Sequence, residues 1–164
     1  MSRRNYSVAE VESLIPSLEE IFTRILQLRV GLRGLEQKLE RAGVSVEVDA
    51  MAELVTGASG TDDAEAEPTN ASKESPEIRH ARAVFRGYYE ALSDALEEIR
   101  TLGGDVKDLD LGLVDFPGRR GTDDILLCWR LGEKRIEFWH TVEGGFANRR
   151  PLDERSPGSS SRAD

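Results

Sequence analysis

The sequence predicts an α+β fold, a long antiparallel helical hairpin, coiled-coil-like, packed on a C-terminal three-stranded antiparallel β-meander. Three observations predict it. Two apolar series repeat with a heptad period, one within residues 14–39 and one within 78–102. Glycine closes each series. After Gly104 the apolar period drops to two, the alternation of half-buried strands.

The first helix is predicted over about 8–42. Ser7-Val8-Ala9-Glu10 has the Ser-x-x-Glu form of a capping box, in which each side chain satisfies a backbone N–H at a helix start. Leu14, Leu18, Ile21, Ile25, Leu28, Leu32, Leu35 and Leu39 then step by alternating fours and threes. Pro16 falls inside the run and must kink or restart the helix, because it has no N–H to donate. Gly31 and Gly34 weaken the helix, and Gly43 is a natural stop. The second helix is predicted over about 76–102. Ser75 caps it, Pro76 takes the first turn, and Gly103-Gly104 ends it. Its seam is Ile78, Ala81, Phe85, Tyr88, Leu92, Ala95, Ile99 and Leu102. Two seams of matching length and period pack most simply on each other.

Residues 44–55 can hold a short element. Residues 56–75 are rich in Gly, Ala, Ser and acids and read as a disordered, negatively charged loop. The meander is predicted over about 106–143. Leu109, Leu111, Leu113 and Asp115 alternate until Pro117; Ile125, Leu127, Trp129 and Leu131 follow; Ile136, Phe138, His140 and Val142 form the third strand. Its aliphatic face should pack on the helices, since three strands alone are marginal. Residues 1–152 thus read as one domain and 153–164 as a disordered tail.

Composition excludes several classes of function. The net charge of −9 opposes binding to nucleic-acid phosphates or an acidic membrane surface. No apolar run approaches the ~18 residues of a membrane span. Cys128 is the only cysteine, so no internal disulfide forms, and the N-terminus has no apolar signal core. The expected location is cytoplasmic. No P-loop, dinucleotide loop, zinc cluster or nucleophile elbow is present.

Strand parity sorts the reactive residues. A tight turn at Gly132-Glu133 sets Trp129 opposite Ile136; a register longer by one pair sets it opposite Phe138. Either way His140 shares a face with Leu127 and Trp129, and Cys128 takes the other face with Glu137 and Trp139. Cys128 and His140 are therefore expected not to meet, which argues against a Cys–His nucleophile or a metal site using both. If no other element covers that face, Trp139 is exposed and serves as an interface anchor for a protein partner or a second copy. Both histidines follow a glutamate by three. Glu77 and His80 share a helix face, but Glu137 and His140 point to opposite faces of a strand, so the repeat does not build a di-iron site.

One constellation passes the parity test. Asp115 and His140 share a face at one end of the sheet, with Arg119, Arg120 and Arg149 near the same edge. Arginine suits carboxylate or phosphate, and a carboxylate-held histidine can act as acid, base or metal ligand. These five residues form the candidate ligand site, and His140 is the candidate metal ligand. A metal ion is the one cofactor this pattern suggests.

Four runs carry a family resemblance. They are Leu109-Asp110-Leu111-Gly112-Leu113-Val114-Asp115-Phe116-Pro117, Leu127-Cys128-Trp129-Arg130-Leu131-Gly132-Glu133, Ile136-Glu137-Phe138-Trp139-His140, and Gly145-Phe146 with Arg149 and Pro151-Leu152. With the opening Tyr6-Ser7-Val8-Ala9-Glu10 and Leu14-Ile15-Pro16, they resemble an uncharacterised bacterial family, domain of unknown function 2203. The resemblance covers most of 6–152, implies no activity, and marks 109–152 as the place to look for a site. Two functional readings follow. The first is a non-enzymatic interaction or regulatory module, built on the helical seams and Trp139. The alternative is a protein that binds a small anion or a metal, with or without catalysis, at the Asp115/His140/Arg149 edge.

Overall fold

The computed structural model describes residues 4–44 and 75–152. The short element predicted within 44–55, most of the acidic loop and the tail lie outside the described residues. Helix α1 runs Val8–Arg41 and helix α2 runs Pro76–Thr101. Five strands follow: β1 (Asp105–Asp108), β2 (Leu113–Arg120), β3 (Asp123–Arg130), β4 (Phe138–Thr141) and β5 (Arg150–Pro151), with a 3-10 turn at Phe146–Asn148 before β5. They form one antiparallel sheet in the order β1-β2-β3-β4-β5. The fold is α+β, and the sheet has five strands rather than the three predicted. The two extra strands, β1 and β5, are edge strands of four and two residues, too short to show a period. No helix among the described residues is long and apolar enough to cross a membrane.

The start of α1 is the capping box its sequence suggests. Ser7 Oγ accepts from Glu10 N–H at 3.2 Å, and Glu10 Oε2 accepts from Ser7 N–H at 2.8 Å. Pro16 lies inside α1 without ending it. Later residues of α1 meet earlier residues of α2: Arg24 donates to Glu98 at 3.0 Å, and Gly31 faces Tyr88. A Cβ on Gly31 would come within 2.6 Å of the Tyr88 ring, so glycine is what admits tyrosine at this crossing. The buried stripe of α1 holds Leu18, Ile21, Ile25, Leu32 and Leu39 from the predicted seam, together with Val11, Ile15 and Phe22 beside it. A wider stripe is what a helix needs when it covers a sheet as well as a second helix. Gly103 closes α2 at φ +99°, a conformation natural to glycine, with Tyr6 packed against it.

The sheet corrects the predicted strands in two places. Leu109 and Leu111 are not strand residues. The Asp108 carboxylate accepts the N–H groups of Asp110 (2.8 Å) and Leu111 (2.9 Å), which folds 108–112 into a turn. Strand β2 then continues through Pro117 instead of stopping there. The pairing explains the tolerance. The Pro117 carbonyl accepts Tyr6 N–H at 2.7 Å, so the nitrogen that lacks hydrogen also faces away from β3. The β1 ladder has already ended at Asp115 on that side.

The second correction is register. Leu127 pairs with Trp139, Leu126 with His140 and Cys128 with Phe138. This lies one residue between the two predicted registers, and a one-residue slip flips every side chain. The cause is the β3–β4 connection, which is not a tight hairpin. Glu133 folds back on the end of β3: its carboxylate accepts Arg130 N–H and its carbonyl accepts Trp129 Nε1–H, both at 2.9 Å. Ile136 then drops into the core and donates its N–H to Glu12 of α1.

The face toward the helices therefore carries Val114, Phe116, Ile125, Leu127, Trp129 and Trp139, all in one apolar core with both helices. Phe22 meets Trp129 with ring centroids 5.8 Å apart. Asp115, Cys128 and His140 all lie on the opposite face.

Candidate metal centre

Three adjacent strands place the three residues. Asp115 on β2 is directly opposite Cys128 on β3. His140 on β4 is opposite Leu126, two residues from Cys128 and hence on the same face. All three are buried, at 2%, 1% and 2% exposure. One ligand atom from each, a carboxylate oxygen, Sγ and a ring nitrogen, lies within 4.8 Å of the other two.

The hydrogen bonds fix the imidazole. Nδ1 sits 2.8 Å from the Thr141 carbonyl, which can only accept, so Nδ1 carries hydrogen. Nε2 faces Asp115 Oδ2 at 3.0 Å. Without a metal, that contact needs one proton between the two groups. The other carboxylate oxygen, Oδ1, is buried with no hydrogen-bond partner among the described residues. Burial, and then the Asp115 charge beside it, push the Cys128 thiol up to about 12. Near neutral pH it is a protonated thiol, which disfavours a role as a free nucleophile. A cation between the three groups would reverse this, because a coordinating thiol loses its proton.

The expected separation of Cys128 from His140 is thus corrected. Two parity errors cancelled for Asp115 and His140. Both were expected on the helix-facing side, and both lie on the opposite one. Cys128 was placed on the correct face, away from the helices, so it was wrongly parted from them. The signal for the right register was the polar run Gly132-Glu133-Lys134-Arg135, which is too long for a tight turn.

The arginines do not converge on this cluster. Arg119 is exposed, 3.8 Å from Asp124. Arg120 lies over the Trp139 ring, 4.9 Å from its centroid. Arg149 comes nearest. It donates to both Glu133 carboxylate oxygens at 3.0 Å and to the Cys128 carbonyl at 3.4 Å, and it lies over the rings of Phe138 and Phe146. It braces the strand that carries Cys128, and its charge is matched by Glu133. Trp139 is not exposed as expected; only 7% of it is accessible, because its true parity turns it into the core. Glu77 and His80 are exposed near the start of α2.

A concave cleft of about 520 Å³ borders the cluster on the β1 side. Asp115 lines it with Arg4, Tyr6, Arg100 and Lys107.

Neither the curated proteins nor the solved structures contain a match to the chain. The model of a family described as an uncharacterized conserved protein, DUF2203, matches residues 4–152, and the chain belongs to that family.

Proposed function

We propose that this protein binds a transition-metal ion of the zinc class between Asp115, Cys128 and His140. One observation carries the reading: three buried side chains of metal-ligand type, from three strands, bring their ligand atoms within 4.8 Å of one another. Two further details support it. The buried Asp115 Oδ1 lacks a partner. The His140 Nδ1–H is held by a backbone carbonyl, the usual outer support for a metal-ligating imidazole. Ligand atoms around tetrahedral zinc stand roughly 3.3–3.8 Å apart, so closure of about 1–1.5 Å at the widest spacing completes the geometry. Sulfur, nitrogen and oxygen donors together suit a borderline ion better than magnesium or calcium. Three protein ligands leave one tetrahedral position for a fourth ligand.

The helices act as the scaffold, read here as an antiparallel hairpin whose face toward the sheet fixes the strands. A thiol ligand must stay reduced, which favours a cytoplasmic setting. A second reading, an interaction module that binds a protein partner or another copy of the chain, has support from α1. Leu26 and Val30, one turn apart, are 41% and 74% exposed.

Zinc titration followed by calorimetry and native mass spectrometry tests the first reading. One ion per chain is expected, with loss of binding in Asp115→Asn, Cys128→Ser and His140→Gln. Undiminished binding in all three variants would refute the site.

A further inference from the structure

We infer that a second site, independent of the metal cluster, binds an oxyanion group, carboxylate or phosphate, in the cleft where the β2–β3 hairpin meets β5. The cleft measures about 520 Å³ and is lined by Arg120, Gly121, Asp123, Trp139, Arg150 and Pro151. One lining residue is an indole that departs from the usual rule for buried polar groups. Trp139 is 93% buried by its 7% exposure, and its Nε1–H is buried with no acceptor among the described residues. Indole nitrogen is a donor only, so the unmet need is for an acceptor. Trp129, whose Nε1–H donates to the Glu133 carbonyl, shows the same group satisfied in the same sheet.

Two cations mark the same place. The guanidinium carbons of Arg120 and Arg150 lie 4.9 and 5.5 Å from the Trp139 ring centroid. Their ends come from different elements: Arg120 closes β2, and Arg150 is the β5 residue paired with Trp139. The cation–π contact restrains each guanidinium near the ring, which reduces the ordering cost of binding an oxyanion. Asp123, the cross-strand partner of Arg120, is the opposing charge. The lining is therefore net +1, two arginines against one aspartate, in a chain of net charge −9. A lone solvated arginine would carry no such reading. Two arginines converging on one indole with a free donor describe a receptor for oxygen acceptors.

The indole N–H resonances of the full-length protein test this. The spectrum has two of them, since the chain has two tryptophans, and Trp139→Phe identifies the one that matters. Inorganic phosphate and acetate are titrated separately, each against sodium chloride at equal ionic strength. The Trp139 signal should move saturably with phosphate, acetate or both, and the ion that moves it names the chemistry. Arg120→Gln with Arg150→Gln should weaken that response about tenfold or more. Both arginines are exposed, so unchanged signals elsewhere establish that this variant is folded. No response to either ion, an equal response to chloride, or an undiminished response in the double variant would overturn the site. None of these outcomes depends on whether zinc binds at Asp115.

Discussion

The two faces of the sheet come from the same strands and use burial differently. Toward the helices, β2, β3 and β4 present Val114, Phe116, Leu127, Trp129 and Trp139, a continuous apolar layer. On the other face the same strands bury an aspartate, a cysteine and a histidine. Apolar burial stabilises the fold at roughly 25 cal/mol per Å² removed from water. Burial of a carboxylate and an imidazole offers no comparable gain, and an unpartnered oxygen there is a cost. One face therefore accounts for stability. The other holds three side chains of metal-ligand type dry and close together, as the proposed metal site requires.

Substitutions that separate stability from metal binding break or sharpen this comparison. The largest loss is expected on the apolar face. Trp129 is fully buried against Phe22, and Trp129→Ala should destabilise by about 3–5 kcal/mol in urea unfolding. Zinc should still bind whatever fraction stays folded. Asp115→Ala should cost the metal-free protein less, about 1–3 kcal/mol for the partner lost to His140 Nε2, while abolishing zinc binding. If Asp115→Ala proved as destabilising as Trp129→Ala and zinc affinity were unchanged, the two faces would not differ in kind.

Smaller effects are expected away from both layers. Glu133→Gln weakens the brace on Arg149, whose charge then lacks its acid. A loss of roughly 1–2 kcal/mol is expected by urea unfolding, with a modest fall in zinc affinity because β3 is less firmly held. Ser7→Ala removes the α1 cap and should cost about 1 kcal/mol with no change in zinc binding. The smallest effect is in pH dependence. The folded state holds the Cys128 proton more tightly than the unfolded chain does, since its thiol is pushed up to about 12. Its contribution to stability is complete below the ordinary thiol value of roughly 8.5 and is lost as pH rises towards 12. The stability difference between wild type and Cys128→Ala, compared at pH 8 and pH 10 without metal, should shift against the wild type at the higher pH.

Much of the fold was legible from the sequence because its signals are local. Ser7 and Glu10 mark a helix start by their spacing, and Gly103-Gly104 marks an end. The period of both helices gave the centre of each apolar stripe, but Val11, Ile15 and Phe22 beside the α1 seam are buried by the sheet and lie outside it. Strand edges were less legible. The turn at Asp108 is made by a side chain that accepts two backbone N–H groups, and it imitates a strand because Leu109 and Leu111 alternate. Register was least legible, because it depends on the path of residues 131–137. Glu133 folds back, Ile136 is captured by the core, and β4 begins at Phe138. That single residue of slip decided the chemistry. It moved Trp139 inward and brought His140 to the face of Cys128, where the turn at 108–112 had already set Asp115.

Cobalt(II) substitution tests the account most directly, because it reports the metal and the thiolate together. One equivalent of cobalt added to the reduced protein should give an intense near-ultraviolet sulfur-to-cobalt charge-transfer band. Visible bands of a low-coordinate site should accompany it. Cys128→Ser should lose the charge-transfer band, and His140→Gln and Asp115→Asn should weaken or abolish binding. A wild-type protein that leaves cobalt in its aqueous spectrum, or an unchanged band in Cys128→Ser, would contradict a metal site at Asp115, Cys128 and His140.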